Sequence, residues 1–186
     1  MSYLREYSSI NEFIDYSEFN TIQKRLAKNG VLLEKWEAGK DLNKNAEPKQ
    51  ILETYKASIE VLKIERGFVT EDLVAIDPST ENYQVMRKKF LQKHTHRDDE
   101  ARYFGEGSGL FYIRKQNSTV QLLLCEKGEL INLPAGTRHW FDMGSQPYFK
   151  AVRVFFDHDG WVGNFTSSGV DQNYPGFDKF IGSIKK

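Results

Sequence analysis

An α+β fold is predicted, with helices gathered in the first half and a strand-dense second half that forms an antiparallel barrel or sandwich. Two observations lead there. Apolar residues recur at helical spacing as far as Leu91 and the period then disappears. Beyond it, short runs rich in β-branched and aromatic residues alternate with EKGE, PAGTR and GSQP, which are turn chemistry. The 13 Phe, nine Tyr and three Trp agree, because they suit a sheet-rich core or a pocket walled by rings. No repeat or Pro/Gly/Ser-rich linker divides the 186 residues, so one domain is expected over 1–186. It comprises a helix-rich part (1–92), a barrel core (93–165) and a C-terminal tail (166–186).

The elements follow in order. Ser17 is the expected N-cap of a first helix, in which Phe19, Ile22 and Leu26 share a face and Gly30 supplies the stop. VLLEKWEA reads as a strand. From Pro48 to Arg66, Ile51, Tyr55, Ile59 and Leu62 fall at intervals of four, four and three, and Gly67 closes the helix. A third helix is expected from about Thr80 to Leu91, with Tyr83, Met86 and Phe90 facing inward. ARYFGEGSGLFYIR resolves into two strands around a glycine-rich hairpin turn, and TVQLLLCE, LINLP, HWFDM and YFKAVRVFF are further strands.

Composition excludes several function classes. Lys plus Arg equals Asp plus Glu at 26 each, and without a basic excess or cluster the chain is a poor partner for nucleic acid. No apolar run reaches 18 residues, so no membrane span is expected, and the start lacks the apolar stretch of a signal peptide. The single Cys125, inside QLLLC, is expected to be a buried, inert thiol and fits a reducing cytoplasm. With no heptad and no long exposed strand pattern, a monomer is the default.

Chemistry concentrates in HTHRDDE, residues 94–100. The chain has four histidines, and two stand here, two apart. On an extended strand, side chains at i and i+2 share a face, so His94 and His96 project together. Glu100 follows past the polar RDD, and alternation puts Arg102 and Phe104 on its face. His139, after the turn PAGTR, adds a third imidazole. Three neutral imidazoles and one carboxylate suit a divalent first-row transition metal rather than calcium or magnesium. Four protein donors on an octahedral ion leave two positions for a chelating substrate. His158, in FFDHDGW, lacks such partners and is expected in a turn or on the surface; Asp98 and Asp99 read as a solvated turn, although either could act as a base.

The spacing resembles the cupin superfamily, whose first motif runs G-x5-H-x-H-x3-E-x6-G and whose second runs G-x5-P-x-G-x2-H-x3-N. His94, His96, Glu100 and Gly107 match the first, and Gly128, Pro134, Gly136 and His139 the second; Lys88 and Met143 replace the outer glycine and asparagine. Within cupins, FLQKHTHRDDEARYFGEGSGLF, LLCEKGELINLPAGTRHWFDMGSQPYFKAVRVF and GWVGNFT resemble the bacterial acireductone dioxygenase family. The likeness extends through NGVLLEKWEA and ILETYKASIEVL and is weakest before Glu18. It implies N-terminal helices followed by a cupin-type antiparallel β-barrel, a jelly roll.

The resemblance further implies an enzyme of methionine salvage that cleaves 1,2-dihydroxy-3-keto-5-methylthiopentene with O₂. With Fe(II) the family yields formate and 4-methylthio-2-oxobutanoate; with Ni(II) it yields methylthiopropanoate, formate and carbon monoxide. It implies one Fe(II) or Ni(II) per chain on His94, His96, Glu100 and His139, and no organic cofactor. Phe90, Phe141 and Trp161 match family positions near the substrate and would line an apolar slot for the methylthio tail. Arg102, on the Glu100 face, is expected to contact the developing oxyanion. Arg153, inside the apolar run KAVRVFF, needs an anion, either substrate or a ligand carboxylate. The rival readings are another metal-dependent cupin enzyme and a non-catalytic small-molecule binding module. The long match outside the motif argues against the first, and retention of all four donors against the second.

Overall fold

The computed structural model describes residues 2–36, 46–115, 119–157, 162–166, 171 and 173–184. The chain opens on a hairpin, β1 (Tyr3–Ser9) and β2 (Glu12–Tyr16), ahead of any helix. This corrects the expectation that helices come first. The hairpin leaves no alternating apolar signature because β2 is exposed along most of its length, while β1 adds onto the sheet by pairing Leu4 with Leu123. Helix α1 (Phe19–Ala27) buries Ile22 and Leu26, and its N-cap is Glu18, not Ser17: the carboxylate accepts from the Asn20 and Thr21 N–H groups.

Strand β3 (Leu32–Lys35) leads to α2 (Pro48–Arg66), which begins and ends where the sequence places it. Gly67 caps it at φ 78°, a left-handed conformation that glycine adopts without steric cost. Its stripe of Ile51, Tyr55, Ile59 and Leu62 packs on Ala101, Tyr103, Leu130, Val152 and Val154. Next come β4 (Thr70–Ile76), α3 (Tyr83–Phe90) and β5 (His94–Thr95). The strand-dense half contains β6 (Glu100–Arg114), β7 (Val120–Glu126), β8 (Glu129–Leu133), β9 (His139–Asp142) and β10 (Phe149–Phe155). A short β11 (Asn164–Phe165) and helix α4 (Phe177–Ile184) follow.

β6 organises the whole sheet. It is one 15-residue strand, not the expected hairpin. The glycines that suggested a turn serve close approach instead. A Cβ on Gly107, at φ 69°, would stand 1.8 Å from the Tyr148 carbonyl oxygen, and one on Gly109 would stand 2.1 Å from the Phe141 ring. The first half of β6 pairs with β8 and β10, which continue to β3 and β4. Its second half pairs with β7 and β9, which continue to β1–β2 and to β5–β11.

Among the described residues every ladder is antiparallel, and the fold is a mixed one of antiparallel sheet and four helices. Among the described residues the ladders end at β2, β3, β4 and β11 and do not close into a hydrogen-bonded barrel. What joins the two halves is side-chain packing: Leu4, Phe111, Ile113, Leu123 and Phe141 from one meet Leu33, Ile76, Phe104, Leu133 and Phe149 from the other. Cys125 is buried in the same cluster. No helix among the described residues is long and apolar enough to cross a membrane.

Candidate metal centre

The site lies where β5, β6 and β9 meet at one end of this core. His94 pairs with His139 across β5 and β9, and on its other side with Phe165 of β11. β5 ends at Thr95, so His96 is delivered by the loop after it rather than by strand alternation. Glu100 and Arg102 start β6, and beyond them Phe104 enters the core from the same face. One donor atom from each of His94, His96, Glu100 and His139 lies within 4.8 Å of the others.

The imidazoles are oriented from behind. His94 Nδ1 donates to the Gln92 carbonyl at 2.7 Å, His96 Nδ1 to the Val162 carbonyl at 3.1 Å and His139 Nδ1 to the Thr137 carbonyl at 2.8 Å. A carbonyl only accepts, so each Nδ1 carries the proton and each Nε2 presents a lone pair inward. Outer hydrogen bonds of this kind fix the tautomer and ring angle of metal-binding histidines. Burial pushes the His94 imidazole down to about 4, which keeps it neutral. Burial alone would raise Glu100, but the Arg102 guanidinium beside it favours the ionised form, and the carboxyl is held well below the usual carboxylate range.

These donors fit a cation. Glu100 Oε2 stands 2.7 Å from His139 Nε2 and 3.2 Å from His96 Nε2. His139 Nε2 is buried and lacks the alignment of a hydrogen bond to any partner. With Nδ1 protonated, lone pairs face one another across that distance, an arrangement that a positive ion at their focus relieves. Nitrogen and carboxylate donors in this ratio suit a first-row transition ion.

Arg102 donates from Nη2 to Glu100 Oε1 at 2.8 Å, and its guanidinium lies over Phe141 and Phe111 at 5.0 and 5.4 Å. Arg153 faces Arg102 across the β6–β10 ladder. Asp72, on β4, binds the Arg153 guanidinium in a two-point pair, a partner the sequence did not identify. A cavity of about 130 Å³ opens over the centre. The four donors, Arg102, Arg153, Phe90 and Phe141 all line it. Trp161 and His158 lie outside the described residues.

Lys89 and Phe165 also line the cavity and were not anticipated. Lys89 stands beside Phe90 at the end of α3, so its adjacency was a usable signal. Nothing local marks Phe165, which β11 brings to 5.5 Å from His94. Asp98 belongs to an exposed turn with Arg97, as expected. Asp99 does not: it accepts from Asn132 Nδ2 and from the Ala135 N–H.

The model of the ARD/ARD' family matches residues 2–163. An acireductone dioxygenase of Yersinia enterocolitica is 43% identical over 157 residues, which is 84% of this chain and 87% of the relative. One from Xylella fastidiosa is 41% identical over 178 residues, 94% of each chain. The solved structure of acireductone dioxygenase from Bacillus anthracis, with a cadmium ion in its active centre, superposes with a TM-score of 0.79 at 27% identity. That match covers 88% of this chain and 97% of the other.

Proposed function

The chain belongs to the ARD/ARD' family, and from that premise we propose that it is a metal-dependent acireductone dioxygenase of cupin type, cleaving 1,2-dihydroxy-3-keto-5-methylthiopentene with O₂. The observation that carries this reading is the convergence of His94, His96, Glu100 and His139 on one point, each imidazole tied from behind to a backbone carbonyl. These four would hold one Fe(II) or Ni(II), and no organic cofactor is needed. The ion supplies a Lewis acid that favours the ionised enediol and fixes which of its oxygens are held.

The chain's own residues do the rest. Arg102 occupies Glu100 Oε1 and so directs Oε2 to the centre. It also presents positive charge where the oxygenated substrate becomes more anionic. Arg153 and Lys89 add a cationic rim that attracts the enediolate. Phe90 and Phe141, edge to face at 6.1 Å, form an apolar wall suited to the methylthio tail and keep water from it. The enzyme would work as a cytoplasmic monomer in methionine salvage.

The products follow the ion. The Fe(II)-loaded chain is expected to give formate and 4-methylthio-2-oxobutanoate, and the Ni(II)-loaded chain methylthiopropanoate, formate and carbon monoxide. Anaerobic reconstitution of the apoprotein with each ion, then exposure to acireductone and O₂ with headspace gas analysis, tests this. A nickel-loaded protein that turns over and releases keto acid without carbon monoxide contradicts the metal-controlled partition.

A further inference from the structure

Two stretches carry the four donors: residues 94–100 supply three, and the turn 134–138 leads into the fourth, His139. They are fastened together outside the cavity. The Gly136 N–H donates to the His96 carbonyl at 2.9 Å. The Ala135 N–H donates to Asp99 Oδ1 at 2.9 Å, and Asn132 Nδ2 donates to Asp99 Oδ2 at 3.1 Å. Asp99 therefore bridges the last residues of β8 and the turn that β8 feeds, while preceding Glu100 directly in the chain. It does not line the cavity, and both of its oxygens are engaged.

We propose that Asp99 is a positioning residue for the metal centre: its carboxylate clamps the His139 turn to the His96–Glu100 loop and thereby sets how tightly the ion is held. This rests on the metal-centre reading above. The geometry supplies the reason. Glu100 pairs with Leu133 and its neighbour Ala101 with Asn132, so the β6–β8 ladder aligns the strands but leaves the turn beyond Leu133 to the single Gly136–His96 backbone bond and to Asp99. Asn132 is buried, and its amide N–H points at Asp99, so this arm of the bridge is partly shielded from competing water, while the Ala135 arm faces solvent. An ion demands that four donors converge within tenths of an ångström, and outer hydrogen bonds that orient the donors govern affinity. Asp99 acts on the backbone that carries His139, whereas the carbonyls of Gln92, Thr137 and Val162 act on the rings.

The hydrogen-bond pattern allows a swap. With Asp99→Asn and Asn132→Asp together, the new amide at 99 can accept from the Ala135 N–H and donate to the carboxylate at 132, with net charge unchanged. Asn132→Asp alone opposes two carboxylates. The probe is Co(II), with affinity read by chelator competition and by its visible absorption, independently of turnover. Asp99→Ala and Asn132→Asp should each weaken Co(II) by about tenfold to a hundredfold. The double variant should return to within about threefold of the wild type, as expected for coupled partners.

An Asp99→Ala chain that binds Co(II) as tightly as the wild type overturns the proposal. So does a double variant no better than Asn132→Asp, because restoring the hydrogen-bond pattern and the net charge together would then have restored nothing. If Asp99→Ala does not fold, the comparison of Asn132→Asp with the double variant decides. A wild-type chain that takes up no Co(II) overturns the metal-centre reading itself, and this inference with it.

Discussion

Glu100 and Arg102, two residues apart on one face of β6, form a buried pair in which the guanidinium takes Oε1 at 2.8 Å and leaves Oε2 facing His96 and His139. The pair divides the carboxylate between protein and centre. Arg102→Ala keeps all four donors and is expected to bind an ion when it is saturating. It should lose the charge-assisted bond and the positive charge near the substrate, at about 1.5–3 kcal/mol, or roughly one to two decades in kcat/KM. Steady-state kinetics on metal-saturated protein measure this. An unchanged kcat/KM would remove Arg102 from the active site.

Gly107 lets β6 run unbroken past β10, so it should tolerate no side chain. Gly107→Ala must hold a left-handed φ of 69° against the Tyr148 carbonyl. The backbone conformation alone costs about 1–2 kcal/mol, and the collision adds to it. Gly182, inside α4 with nothing within 4 Å of its would-be Cβ, is the counterpart. Gly182→Ala should stabilise by about 0.5–1 kcal/mol through helix propensity. Urea unfolding midpoints should move in opposite directions; a Gly107→Ala midpoint equal to the wild type contradicts the close-approach account.

Cys125 lies wholly within the core, and burial pushes its thiol well above the ordinary range. The thiolate is the reactive form, so the native chain should resist a thiol reagent such as dithiobisnitrobenzoate at pH 8 and react fully once unfolded. Stoichiometric labelling of the native protein within minutes would contradict the burial.

The site was more legible in the sequence than the fold around it. His94, His96, Glu100 and His139 could be read because a metal requires donor types at set spacings, and those survive whatever the strands do. Even so, alternation on one strand was the wrong reason for His96, since β5 ends before it. Helix α2 was legible because one face is apolar and both ends carry their own signals, Pro48 and Gly67. The β1–β2 hairpin was not, because an exposed strand has no reason to alternate. β6 looked like a hairpin because glycine marks both turns and close approaches, and only the distant Tyr148 and Phe141 tell which. The same distance hid Asp72 from Arg153 and Asn132 from Asp99: each partner belongs to another strand, so the sequence disclosed that Arg153 needs an anion but not which, and for Asp99 it disclosed neither need nor partner.

The claim that four side chains make one metal centre is tested most directly by metal content. Apoprotein reconstituted anaerobically with Fe(II), freed of loose ion by gel filtration and subjected to elemental analysis should retain about one ion per chain, the capacity of a single four-donor site. His139→Ala, measured beside it, should retain little iron while keeping a native circular dichroism spectrum, because the packed core does not depend on the ion. Equal iron in the two proteins, or none in the wild type, would contradict the account.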